Sequence, residues 1–217
     1  VALAKLIAPP IGAAASAFGK LIVYATELQP FWMGVAVSVL VGIALTLPIS
    51  SAAICTVLKL TGLAGGAAVA GCCAQMVGFA VMSFRENRWG GLVSQGLGTS
   101  MLQMGNIVKN PRIWLPPILT SAITGPLATC LFRLEMNGEP VSSGMGTCGF
   151  VGQIGIWTGW MSPSADALAN GAAAIVPGGM DWLGLVLICF ILPAVLCWLL
   201  GNAFRRIGWI KENDLKL

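Results

Sequence analysis

Few side chains in this sequence could perform acid–base or nucleophilic chemistry. Among 217 residues there is no histidine, and neither the phosphate-binding pattern GxxxxGK[ST] nor the nucleophile pattern GxSxG occurs. The seven cysteines show no CxxC or Cys/His spacing. The sequence therefore predicts no catalytic site, no cofactor, no metal site and no structural disulfide, and the adjacent Cys72 and Cys73 are interpreted as packing residues.

Three charged residues beside long apolar stretches have structural interpretations. Asp181 directly precedes Trp182 and is predicted to cap the last helix. Asp166 is predicted to lie in an exterior loop. Lys59 separates two apolar runs, and its long side chain can extend from a helix end towards water.

Glu139 is different because it opens a stretch rich in Gly, Ser and Thr. A carboxylate that lines a polar cavity can accept strong, charge-assisted hydrogen bonds from hydroxyl groups. The alternative is an exterior loop residue beside Arg133 and Glu135. Further candidates for binding a polar solute follow in the same segment, since their side chains can donate or accept hydrogen bonds: Ser142, Ser143, Thr147 and Gln153.

The composition indicates which solvent surrounds these residues. The chain is 57% hydrophobic and 9% charged, whereas ordinary globular domains are about 25% charged. This small number of charged residues cannot cover the surface of a soluble protein. We therefore predict an all-α polytopic membrane protein embedded in a lipid bilayer, with residues 1–217 forming a single membrane domain. The net charge of +4 is too small and too dispersed for a nucleic-acid surface.

Long uncharged stretches predict the membrane spans, since about 20 apolar residues cross a bilayer as a helix. Four stretches are long enough: Leu28–Leu58, Leu60–Phe84, Ile113–Phe132 and Trp182–Phe204. The stretch Val1–Tyr24 contains two lysines and two prolines, so it is either a fifth span or a helix along the membrane surface.

Two further uncharged stretches, Trp89–Val108 and Pro140–Ala165, are too rich in Gly and polar residues for helices that face lipid. Irregular backbone at membrane depth is tolerated where protein or a watery cavity surrounds it. We therefore predict two re-entrant or cavity-lining segments, with surface loops as the alternative.

Positive charges predict the orientation. Arg85, Arg88, Lys109 and Arg112 flank the first Gly-rich segment, and the tail at 205–217 carries four more basic residues. Cytoplasmic loops are enriched in Lys and Arg, so both groups, and the carboxy terminus with them, are predicted to be cytoplasmic. The segment from Pro140 must then enter the membrane and return to the exterior.

Several motifs resemble one protein family. The stretches Leu28–Cys55, with its Leu-Gln-Pro and Leu-Pro-Ile-Ser segments, Asn110–Thr129 and Ser142–Gly155, with Gly-Met-Gly-Thr-Cys-Gly-Phe-Val-Gly-Gln, are similar to PfoR-like integral membrane proteins. These are grouped with the IIC sugar permease components of bacterial phosphotransferase systems. The resemblance implies a multi-pass protein of the bacterial inner membrane. Because family members are longer, the chain looks like the carboxy-terminal part of such a permease.

The resemblance also implies a site and partners. Many IIC permeases carry a Glu-Pro pair at the tip of a second re-entrant hairpin, and the matching pair here is Glu139-Pro140. A homodimer and cytoplasmic IIB and IIA components are implied as well, and Gly62, Gly66 and Gly71 would permit close helix approach. The chain departs from the family pattern because it has no histidine and no IIB-like domain.

Three functions follow as hypotheses. The first is a permease that binds and translocates a sugar with phosphotransferase partners. The second is a membrane sensor or regulator of PfoR type on the same fold, and the third is a carrier or channel for another small polar solute.

Overall fold

Helices and turns form the part of the chain that the structure, a computed structural model, describes: residues 17 and 19–217. No β-strand occurs there, although Gly62 and Met136 form one isolated antiparallel bridge. This agrees with the predicted all-α fold. The α-helices are α1 (Pro30–Thr46), α2 (Ser51–Val57), α3 (Gly62–Met82), α4 (Phe84–Val93), α5 (Met104–Lys109), α6 (Leu115–Pro126), α7 (Val151–Met161), α8 (Ala165–Ala169), α9 (Gly179–Val186) and α10 (Leu192–Arg206).

Three helices are long and apolar enough to cross a membrane: Gly62–Met82, Pro111–Leu131 and Gly179–Arg206. The second joins α6 to a 3₁₀ turn before it and a π turn after it, and the third joins α9 to α10 through a π turn. They match three of the four predicted spans, so these three predictions are confirmed.

The fourth predicted span, Leu28–Leu58, is wrong as a single crossing. Helix α1 stops at Thr46, because Pro48 disfavours helical backbone at the residue before it, and Leu47 is extended. Ser50 then caps the short helix α2 by accepting a hydrogen bond from the Ala53 amide at 3.2 Å. The stretch is a broken hairpin instead of one helix.

The first arm of this broken hairpin begins on the same side of the bundle as that on which the second arm ends. The carbonyl of Pro30 accepts a 2.9 Å hydrogen bond from Thr129, near the end of the second long helix. The other arm ends at Lys59, just before α3 begins. We call this side the Lys59 end. The predicted helix or span at Val1–Tyr24 lies mostly outside the described residues. Within the described part, residues 19–26 form a further helical stretch before α1.

Helix α3 is the centre of the bundle, and most of its residues are buried. Small residues let its neighbours approach closely. A side chain at Gly71 would collide with the Ser38 carbonyl of α1, and one at Gly66 with the Leu134 carbonyl. These glycines, predicted to serve a dimer contact, are therefore occupied by packing within the chain.

The opposite side of the bundle collects both predicted basic groups. Arg85 donates a 3.2 Å hydrogen bond to Asn202, and Arg205 forms a 2.8 Å ion pair with Glu86. Asn110 donates to the Asp214 carboxylate at 2.7 Å. We call this side the basic end. The two groups share one side, as the charge pattern predicted.

Candidate functional site

The first Gly-rich segment forms a hairpin that starts and finishes at the basic end. It runs from α4 through the π turn Ser94–Gly98 and the 3₁₀ turn Ser100–Gln103 to α5. We call it the basic-end hairpin. At its tip, the Ser100 hydroxyl lies 2.9 Å from that of Thr46, the last residue of α1. The tip thus reaches the interior of the bundle, as expected for a re-entrant segment.

The chain after α10 holds the basic-end hairpin in place. The carbonyl of Leu215 accepts hydrogen bonds from Asn87 at 2.7 Å and from Gln103 at 3.0 Å. Asn106 donates to the Lys216 carbonyl at 2.9 Å, and Leu215 is fully buried. The segment predicted as a tail therefore packs as part of the bundle.

The second Gly-rich segment enters from the Lys59 end. Met136 is paired with Gly62 at the start of α3, whereas a side chain at Gly146 would lie 2.7 Å from Cys72. Cys72 lies about 15 Å further along α3, at 1.5 Å per residue. Helix α7 then returns, because Gly159 packs against Asn137 and Gly138. We call residues 136–161 the Lys59-end hairpin.

The tip of this hairpin has unusual backbone geometry. Gly146, Gly149 and Phe150 all have positive φ angles, of 53°, 51° and 59°. Glycine adopts this left-handed region without penalty, but phenylalanine does so at a cost. A tight reversal at Gly146–Phe150 is what allows α7 to run back along the descending arm.

The two hairpins meet inside the bundle. Thr147 donates a 2.6 Å hydrogen bond to the Gly96 carbonyl of the basic-end hairpin. Ser51, at the start of α2, donates a 2.7 Å bond to the Gly144 carbonyl. Three interruptions of regular helix therefore come together: the break after α1 and the tips of both hairpins.

A shallow cavity of about 350 Å³, widely open to the surroundings, lies at this junction. Its lining combines the break after α1 with one residue from each hairpin tip: Leu45, Leu47, Pro48, Ile49, Ser50, Ser51, Ala52, Met101 and Met145. Pockets for small molecules commonly have volumes of 300–1,000 Å³. We call it the junction cavity.

A buried polar cluster adjoins the junction cavity. Gln75 of α3 accepts hydrogen bonds from Trp114 at 2.9 Å and from Thr46 at 3.3 Å. Its side-chain nitrogen, although buried, has no hydrogen-bond partner among the described residues. Gln75 was missed by sequence reasoning, because one amide inside an apolar helix does not identify its partners.

The predicted site residues Glu139 and Pro140 lie near the Lys59 end of the hairpin instead of at its tip. Glu139 precedes the 3₁₀ turn Pro140–Gly144, and its carbonyl accepts a 2.9 Å hydrogen bond from the Ser142 amide. Its side chain is exposed, whereas Pro140 is buried. The carboxylate makes no hydrogen bond or ion pair with the residues that the structure describes.

The other four predicted site residues are buried along the same hairpin. Ser143 donates to the Leu60 carbonyl at 2.6 Å, and Thr147 is engaged with Gly96, so both hydroxyl hydrogens are used within the bundle. Gln153 donates to the Cys73 sulfur at 3.2 Å, but its buried oxygen has no partner among the described residues. Ser142 lies against Gly155 of α7.

The remaining predicted charged residues have structural partners. Asp181 accepts a 2.7 Å hydrogen bond from the Gly178 amide and so caps the last long helix, as predicted. Lys59 and Asp166 form a 2.8 Å ion pair. This pair raises the pKa of Lys59 above its ordinary value, first through the hydrogen bond to Asp166 and then through the opposite charge. Asp166 lies in the short helix α8 instead of the predicted loop, and sequence reasoning did not identify the pair.

Comparison with known proteins identifies a family. A protein-family model described as "Phosphotransferase system, EIIC" covers residues 1–217. Searches of curated proteins and of solved structures give no significant match.

Proposed function

Since the chain belongs to the phosphotransferase system EIIC family, we propose that it is a permease that binds a sugar in the junction cavity and passes it across the membrane. The observation that carries this proposal is the meeting of two hairpins from opposite ends at one cavity. Polar solutes in membrane carriers are commonly bound where helices are interrupted.

The break after α1 supplies groups that a sugar can bind. The carbonyls of Leu47 and Ser50 already accept hydrogen bonds from the amides of Ile49 and Ile54. The Ser50 side chain is exposed, and its hydroxyl accepts a hydrogen bond from the Ala53 amide. The Ser50 hydroxyl can therefore still donate its own hydrogen to a sugar, while Met101 and Met145 supply adaptable apolar contact.

The hairpins also suggest how a sugar could reach the cavity from either side. The direct polar contact between their tips is the bond from Thr147 to Gly96. In our proposal, displacement of the Lys59-end hairpin opens the cavity towards one side, and displacement of the basic-end hairpin opens it towards the other.

Glu139 retains a role in this proposal as a group that contacts the sugar on its path from the Lys59 end. Its carboxylate is exposed and can accept hydroxyl hydrogen bonds. Deeper in the same hairpin, the buried Gln153 oxygen has no partner among the described residues and Ser142 offers a hydroxyl, so these two are the next contacts. Ser143 and Thr147 can offer only acceptor lone pairs.

The assembly around this permease is also proposed. The family resemblance supports a homodimer in the bacterial inner membrane, a relation to PfoR-like proteins, and phosphorylation of the sugar by a IIB component that is itself supplied by IIA. Eight of the twelve basic residues lie in the two groups gathered at the basic end, which supports a cytoplasmic position for that end.

The test is sugar uptake into proteoliposomes, after a thermal-shift screen has identified the sugar that stabilises the protein most. We expect uptake by wild type and a loss of at least tenfold in Met101→Trp and Met145→Trp, because the indole fills the junction cavity. Leu102→Trp is the matched control, since Leu102 is exposed and not part of the cavity lining.

Three outcomes decide the matter. Uptake that needs phosphorylated IIB supports a phosphotransferase permease. Sugar binding without uptake under either condition would instead support the sensor, and equal uptake by all three tryptophan variants would remove the junction cavity from the path.

A further inference from the structure

A narrow crevice lies between the end of α3 and helix α10, at the basic end. Its volume is about 220 Å³, and its lining combines apolar side chains with two arginines and an amide: Val81, Met82, Phe84, Arg85, Leu92, Trp198, Gly201, Asn202 and Arg205. It is distinct from the junction cavity, with which it shares no lining residue.

The crevice continues into a more polar pocket. This second space, of about 350 Å³, is lined by Arg85, Trp198, Asn202, Arg205 and Arg206. Four of these residues also line the crevice. The combined site therefore has an apolar arm and a polar head in which three arginines converge.

The charge of the head is unbalanced. Arg205 is neutralised by Glu86 at 2.8 Å, and the two side chains are only 13% and 6% exposed. Arg85 donates to the neutral amide of Asn202 and, like Arg206, forms no ion pair with the described residues. Two guanidinium groups thus remain available to an anion, and a guanidinium can bind a phosphate through two parallel hydrogen bonds.

The position of the head matches the lipid headgroup region. Arg205 lies 24 residues after Asp181 on the same long helix, or about 36 Å at 1.5 Å per residue. The hydrocarbon core is about 30 Å thick, so these charged residues bracket it. Below Arg205, the outer face of α10 exposes Val195, Trp198 and Leu199, as expected for contact with acyl chains.

We infer that this crevice binds an anionic phospholipid, with its phosphate between Arg85 and Arg206 and an acyl chain along Phe84, Leu92 and Trp198. Basic pockets between transmembrane helices are suited to acidic headgroups. The apolar arm favours a lipid over a free anion, because inorganic phosphate would leave it empty. The site depends only on the membrane fold and not on transport or on which end faces the cytoplasm.

The test compares lipids in nanodiscs of phosphatidylcholine with and without phosphatidylglycerol. The purified chain is delipidated, and phosphatidylglycerol binding is titrated by native mass spectrometry and by thermal shift. We expect the Arg85→Gln/Arg206→Gln variant to bind phosphatidylglycerol at least tenfold more weakly than wild type, since each charge-assisted bond lost typically lowers affinity by about that factor.

A matched control separates the pocket from the general attraction of a basic surface. The Lys109→Gln/Lys211→Gln variant loses the same charge at the same end, from two exposed residues outside the crevice, and should bind as wild type does. Leu92→Asp should weaken binding, because a carboxylate in the apolar arm is an unfavourable neighbour for an acyl chain.

The proposal is overturned if both double variants lose affinity equally, if phosphatidylcholine binds as well as phosphatidylglycerol, or if inorganic phosphate alone gives the same thermal shift. The last result would identify an anion site without a lipid.

Discussion

The hydroxyl of Thr147 lies 2.6 Å from the carbonyl oxygen of Gly96, so two hairpins from opposite ends of the bundle touch at their tips. Each hairpin is anchored at its own end. The segment around Leu215 holds the basic-end hairpin, and the bridge from Met136 to Gly62 holds the Lys59-end hairpin. This contact separates the two approaches to the bundle interior.

Removing the bond between the tips should loosen the bundle. Thr147→Val keeps the side-chain shape but loses the donor, and we expect the free energy of unfolding to fall by about 1 kcal/mol. Thermal unfolding in mild detergent measures the change. Thr158→Val is the control, because its hydroxyl bonds to Ile154 within a single exposed helix turn. Equal shifts in the two variants would deny the contact any special role.

Replacing Gln75 tests the buried cluster beside the junction cavity. Gln75→Leu leaves the Trp114 N–H and the Thr46 hydroxyl without that acceptor, and an unpaired buried group costs about 1–3 kcal/mol. We expect a lower unfolding temperature, while exposed Gln29→Leu should change it little. Greater stability in Gln75→Leu would mean that the unpaired nitrogen of Gln75 costs more than its oxygen contributes.

Glu139→Gln tests the proposed sugar contact. The substitution keeps the shape and removes the charge, and loss of a charge-assisted hydrogen bond typically lowers affinity about ten- to a hundredfold. Titration with the sugar chosen by thermal shift measures this. Glu27→Gln removes another exposed carboxylate and should leave affinity unchanged. If Glu139→Gln binds the sugar as tightly as wild type, Glu139 is an exterior residue that does not contact the sugar.

The ion pair of Lys59 with Asp166 predicts a pH dependence at the Lys59 end. The pKa of Lys59 is raised in the folded chain, so the pair stabilises fully below the ordinary lysine pKa of about 10.4 and is lost as the pH rises through the raised value. Because Lys59 is 70% exposed, the contribution is small and should weaken with salt. Asp166→Asn should abolish this alkaline step in unfolding temperature, and a step that persists must come from another group.

The orientation follows from the basic end. A cysteine added after Leu217, in a background where the exposed Cys130 is serine, should react with an impermeant maleimide only when the cytoplasmic side is accessible. Labelling in intact cells would place the basic end outside and invert the proposed direction of transport.

The sequence predicted the membrane fold and three long helices, because uncharged stretches and their charged boundaries are local signals. It also predicted the polar hairpins, since Gly-rich polar segments are poor partners for lipid. The break at Leu47–Ser50 was missed, although Pro48 was visible there. Apolar composition dominated that interpretation, and hydropathy does not distinguish one crossing from a hairpin of two arms.

The candidate site was predicted less completely. Side chains along one hairpin were identified, but the junction cavity combines residues from three separate parts of the chain. Neither Met101 nor Met145 carries a local signal for binding. The same holds for the dimer argument, because the close spacing of small residues does not reveal whether their partner is another chain. Gly66 packs against Leu134 and Gly71 against Ser38, both within this chain.

The hydrogen bonds of Leu215 have a consequence for how the protein is made. They join residues 128 and 112 positions apart in the chain. During synthesis, Asn87 and Gln103 emerge from the ribosome long before their partner exists, so the side-chain amides of the basic-end hairpin must wait unpaired or solvated. Contacts so distant in sequence form slowly. Maturation of this hairpin is therefore among the last steps of assembly in the bilayer.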